Sequence, residues 1–219
     1  MSARRRQAPW RSLGADRTGT AAVEFALLFP IMVTLFIGSY EVENVLLAQL
    51  KLTAAVETAA DLVAQTTIAG GANGNGTLQT SDFTNFTNAT ADVLTPLPTG
   101  TNNSLVKIAY ASVTYSTGTP VIDWHVEKNG ATAISLTNIP NNEALTNLGN
   151  ASAGSLDSVI VVQVQYTYTS PISYILNASY TLTEAAFNRP RYVTCIPSAA
   201  TTTSDTAVSG SSTNQYQCP

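Results

Sequence analysis

Charge is scarce in this chain of 219 residues, where Asp, Glu, Lys and Arg together make up 11%. There is one histidine, His125, and there are two cysteines, Cys195 and Cys218. So few soft or imidazole ligands leave little with which to build a metal site, and no Ser or Cys motif sets a nucleophile beside a base. The glycine-rich stretch Ala69 to Thr77 (AGGANGNGT) lacks the Lys-Ser/Thr pair of a phosphate loop and reads as a linker. Neither an enzyme nor a cofactor is expected. Thr, Ser, Asn, Gly and Ala abound instead, a composition common among exported, β-rich proteins.

Charge of one sign is also missing from most of the chain. Of the ten Lys and Arg residues, Arg4, Arg5, Arg6, Arg11 and Arg17 precede Gly19, where the only acid is Asp16. The remainder holds five cations against thirteen acids, a net charge of about −8, which disfavours nucleic acid as a partner. The basic head abuts an apolar run, Gly19 to Tyr40 (GTAAVEFALLFPIMVTLFIGSY). At ~1.5 Å of rise per residue, a helix from Thr20 to Tyr40 crosses a hydrocarbon core of ~30 Å. The positive-inside rule then keeps the amino end in the cytoplasm. A secretory signal peptide would have a shorter apolar core and a small-x-small cleavage site, and this run has neither. One carboxylate, Glu24, interrupts it. A charge near the bilayer centre costs ~2.5 to 3.5 kcal/mol and less towards an edge, so Glu24 is functional, paired, or an interfacial acid within snorkelling reach.

Residues 1–18 have no hydrophobic period and read as a flexible leader. Beyond Tyr40 the apolar positions Val45, Ala48, Leu52, Ala55, Val56, Ala59, Leu62 and Val63 recur every three or four residues. One helix from about Thr20 to Gln65 is therefore expected, kinked at Pro30, with an alanine-rich stripe packed on a sheet or another helix. The acids Glu41, Glu43, Glu57 and Asp61 scatter partly around it and read as solvated. A second helix is expected over Ser81 to Leu94, capped by Ser81 and stopped by Pro96 and Pro98. From Leu105 the period becomes two: strands over Leu105 to Tyr115, Val121 to Lys128 and Val159 to Thr169, the last of them central. In the second, Ile122, Trp124 and Val126 alternate with Asp123, His125 and Glu127, which read as a solvated face. Asn129-Gly130 predicts a hairpin returning through Ala131 to Leu136. Tyr180 to Thr194 reads as an edge strand, because Pro190 cannot donate to a ladder.

The expectation is an α+β protein: a leader (1–19), a membrane helix (20–40), an amphipathic extension (41–68), a Gly/Asn linker (69–80), an α+β domain with an antiparallel sheet (81–197) and a Ser/Thr-rich tail (198–219). Cys195 and Cys218 lie beyond the span, in a compartment that permits disulfides. A bridge would close a loop of about 24 residues, a contribution of roughly 3 kcal/mol. Two unrelated thiols is the other reading, and a metal site with His125 a poor third.

The heptapeptide GTAAVEF, from Gly19 through Glu24 to Phe25, follows a basic leader and opens an apolar helix. This resembles the processing site of type IV pilins and pseudopilins. More narrowly, AAVEFALLFPIMVTLFIGSYEV followed by AADLVAQ resembles the TadE-like proteins of the tight adherence (Tad, or Flp) pilus system. The close resemblance covers roughly Arg17 to Gln65. It implies a pilin-like fold, cleavage by a prepilin peptidase between Gly19 and Thr20, and assembly contacts through Glu24 and Phe25. It further implies an inner-membrane protein, single-pass with its amino end inside and its domain in the periplasm, whose partners are other pilin or pseudopilin subunits and inner-membrane assembly proteins. Many major pilins of this class are very short, so a minor, pseudopilin-like role in an adhesive pilus is implied. An uncut membrane scaffold and a membrane-tethered binding domain are the alternatives.

Overall fold

The structure, a computed structural model, describes residues 19–66, 78–116, 119–135, 157–172, 179–192 and 196. Its longest element is a single helix of 45 residues, α1 (Thr20–Ala64), about 68 Å from end to end. It runs through Pro30 as one continuous helix, and the Thr34 hydroxyl donates to the Pro30 carbonyl at 2.8 Å. A shorter helix, α2 (Thr80–Val93), starts one residue ahead of expectation. The backbone N–H of Gln79 is held by the Asp82 carboxylate at 2.8 Å, so Gln79, and not Ser81, stands at the cap.

Four strands follow: β1 (Val106–Ser116), β2 (Thr119–Lys128), β3 (Asp157–Thr169) and β4 (Ser179–Asn188). They form one antiparallel sheet in the order β2-β1-β3-β4, and the chain is α+β. The expected strand Val159 to Thr169 lies inside the sheet, and the strand that starts near Tyr180 is at its edge.

The carboxy-terminal half of α1 lies across β3 and β4, and α2 fills the corner between α1 and β2. Small residues make this close approach feasible: Ala48, Ala55, Ala59 and Ala60 are buried along with Leu52, Val56 and Val63. Beneath them lie Ile160, Val162, Val164, Tyr166 and Tyr168, the alternate residues of β3. Phe83 of α2 closes the other side against Tyr110 and Trp124, at ring-centre distances of 5.2 and 5.6 Å. Each of the buried Leu, Ile, Val and Phe side chains contributes roughly 1.5 to 3 kcal/mol through its removal from water.

Two expectations fail in the hairpin region. Ser112 pairs with Trp124 but Val113 with Ile122, so Asp123 is an extra residue, a β-bulge. The bulge turns Ile122 to the far face of the sheet, with Val113, Val159 and Val161, while Trp124 and Val126 face the helices. Strict alternation across Ile122, Trp124 and Val126 is thus broken by one inserted residue. The second failure concerns Asn129-Gly130, which does turn the chain with φ of 57° and 71°. It does not return it as a strand: β2 pairs with β1, with Ser116 opposite Thr119, and stands at the edge of the sheet. Residues 131–135 instead cross the far face, where Ile134 is buried. Residues 69–77 of the expected linker, most of the loop before β3, and Cys195 and Cys218 lie outside the described residues, while the linker's last three expected positions already belong to the domain, with Leu78 buried and Thr80 opening α2.

Candidate functional site

The part of α1 that precedes the domain is bare. From Thr20 to Phe36 every residue is exposed, including Val23, Leu27, Leu28, Ile31 and Met32. This stretch makes α1 long and apolar enough to cross a membrane once. Gly19 sits at its amino end with φ of −84° and ψ of −7°, a conformation open to any residue. A Cβ added there would meet nothing within 4 Å. The fold therefore has no steric need for glycine at this position. Thr20 is the first helical residue, and Glu24 is exposed just over one turn further on. Phe25 packs on Phe29 with ring centres 5.7 Å apart, so the two rings form one apolar surface beside the acid.

The bare surface continues past Tyr40 on the side of α1 that faces away from the sheet. Val42, Leu46, Leu47 and Leu50 are all exposed, and with Leu35 and Gly38 they line a shallow trough of about 720 Å³. The helical period expected over this segment gives the inward stripe and not this outward one. The signal was the run VLLAQL, in which adjacent leucines make the helix apolar all round.

Glu41 departs furthest from expectation. It is not solvated: its side chain is buried between α1 and the end of β3, where the Ser170 hydroxyl donates to it at 3.2 Å. Tyr168 lies close by, its hydroxyl buried without a hydrogen-bond partner among the described residues. Burial pushes the Tyr168 phenol above its ordinary pKa, and the charge of Glu41 pushes it the same way. Asp61 is likewise engaged, by the Arg191 guanidinium, and the N–H of Arg191 caps the end of α1 at the Ala64 carbonyl, 3.0 Å away. Glu43 and Glu57 are exposed as expected.

His125 is also not a free surface residue. Its Nδ1 lies 2.6 Å from Oε1 of Glu127, whose side chain is buried. The pair sits on the far face of the sheet, remote from Glu24 and from the bare part of α1. Ile196, next in sequence to Cys195, is buried, and its carbonyl accepts from the Trp124 indole at 2.7 Å.

A bare apolar helix rising into an α+β domain, with an acid just over one turn from its start, defines the class of the chain: a protein organised on one amino-terminal helix long and apolar enough to cross a membrane. That helix is TadE-like, since the family model described as TadE-like protein matches residues 19–61, from Gly19 nearly to the end of α1. The sheet lies outside the matched residues. No curated protein and no solved structure matches the chain.

Proposed function

We propose that the chain is a minor, pseudopilin-like subunit of a Tad (Flp, type IVc) adhesive pilus, made as a single-pass inner-membrane precursor with its amino end inside and its domain in the periplasm. The observation that carries this reading is the bare helix from Thr20 to Phe36, headed by a glycine that the fold does not require. A conformationally unneeded glycine at the edge of the cytoplasm suits recognition by a peptidase, and the family match begins at that residue. In this reading a prepilin peptidase cuts between Gly19 and Thr20, and the arginine-rich leader is lost. Glu24 of one subunit then pairs with the freed amine of Thr20 on its neighbour, a contact that sets the axial register of two helices in a medium where a lone charge is costly. Phe25 supplies apolar packing beside it, and the outward stripe from Val42 to Leu50 supplies more from about 27 Å further along the helix.

Intact-mass measurement on the membrane form, in cells that carry the pilus machinery, tests the cut. The expected mass is that of a chain starting at Thr20, with Gly19→Leu retaining the leader. Glu24→Ala is expected to be cut normally yet to lose association with other subunits in pull-down from detergent. An intact leader in the working system would leave instead a permanently anchored scaffold.

A further inference from the structure

Outside α1, the large hydrophobic side chains exposed among the described residues are Ile172, Tyr180 and Tyr192. The first two share one end of the domain. Ser170, two residues before Ile172, donates to Glu41, and Tyr180 pairs across the sheet with Tyr168, whose phenol lies within electrostatic reach of Glu41 and Tyr40. Tyr40 is itself 43% exposed at this level. The opposite end is marked by Arg191 against Asp61 and Ala64, and Tyr192 lies there.

Height above the membrane follows from α1. Thr20 to Tyr40 spans about 31 Å, one hydrocarbon thickness, so Tyr40 falls at the outer interface when the span is seated. The domain begins without a spacer, because Glu41 is already buried against it. Tyr40, Ile172 and Tyr180 thus converge where amphipathic rings and apolar side chains are favoured, at the headgroup level. The burial of Glu41 also withdraws its carboxylate from that surface.

We propose that this end of the domain is a membrane-contacting base, seated on the outer headgroup layer of the bilayer that holds the span, with Tyr40, Ile172 and Tyr180 as its anchors. The proposal rests on the single-pass reading above. The occupant is the lipid interface, which is continuous with the surface around the span and matches the chemistry of the three side chains.

Tryptophan depth measurements test it. The full chain and its Ile172→Trp, Tyr180→Trp, Tyr192→Trp and Phe29→Trp variants are reconstituted in phosphatidylethanolamine/phosphatidylglycerol vesicles, with or without lipids brominated near the headgroup end of the acyl chain, and Phe29→Trp also with lipids brominated near the methyl end, because residue 29 lies near the middle of the span. Quenching beyond that of the unsubstituted chain is the readout. Ile172→Trp and Tyr180→Trp are expected to be quenched several-fold more than Tyr192→Trp at the far end. Equal, background-level quenching at positions 172, 180 and 192, with Phe29→Trp strongly quenched, overturns the base while leaving the span intact. Absence of quenching at Phe29→Trp overturns the single-pass reading and the base with it.

Discussion

The buried carboxylate of Glu41 lies at the joint between the bare part of α1 and the domain. Its stripe neighbours Val45, Ala48 and Leu52 face the sheet, so a side chain at this position has no route to water. Removing one of its donors should cost what an under-satisfied buried acceptor costs. Ser170→Ala is expected to destabilise the domain by about 1 to 3 kcal/mol, read as a lower urea midpoint. Tyr110 offers a second residue-scale test. Burial raises its phenol pKa far above the ordinary value, outweighing the lowering by hydrogen bonds with Thr87 and Thr90. The unfolded chain therefore releases this proton near pH 10 while the folded one retains it. The stability involved is fully present below pH 10 and falls above it, by about 1.4 kcal/mol per pH unit for one such phenol. A urea midpoint followed from pH 8 to 11 by Trp124 fluorescence is expected to decline above pH 10, and Tyr110→Phe to flatten that decline.

At the scale of elements, α1 was legible from sequence almost to the residue, because its apolar stripe keeps the helical period from Val45 to Val63. The interior strand β3 was legible for the corresponding reason, five large residues at a period of two. The polarity of Glu41 points to solvent, but its position does not: counting back four from Val45 puts it on the same inward stripe. The β2 region was misread because one inserted residue, Asp123, reverses which face each later side chain occupies, and periodicity carries no mark of an insertion. Asn129-Gly130 signals a turn truthfully, but a turn does not name the strand's partner, which here is β1. For the site, the sequence marked Gly19, Thr20, Glu24 and Phe25, whereas the outward apolar stripe was hidden by the inward one. The tight seat of α1 on the sheet gives a prediction at this scale. Ala59→Leu, which forces a larger side chain into a fully buried contact, is expected to cost about 1 to 3 kcal/mol in the same unfolding assay, whereas Ala54→Leu on the exposed side should fall within about 0.5 kcal/mol of the parent.

For the whole molecule, the candidate membrane span and the principal core helix are one element. About half of α1 is bare and the rest is core, so the domain cannot turn freely relative to its span. This differs from a domain on a flexible tether, because the helix continues unbroken through Gly38 into the buried segment. Inserting Gly-Ser-Gly between Tyr40 and Glu41 is expected to leave the domain's unfolding midpoint close to that of the parent while releasing its orientation, measured as a loss of order for a spin label at Tyr192 in oriented bilayers.

The course of β4 beside α1 has a mechanical consequence. Gln49 meets Glu184, and Asp61 meets Arg191, so strand and helix run side by side in the same direction, away from the bare end. A pull along the helix axis, such as lifting the span out of its bilayer demands, therefore loads their interface in shear. The contacts along its length share that force instead of opening one after another as they would in a peel. Single-molecule pulling from residue 20 against an attachment at Asn188 is expected to give one high-force rupture, and pulling from Ala64 against the same point a lower-force, stepwise opening.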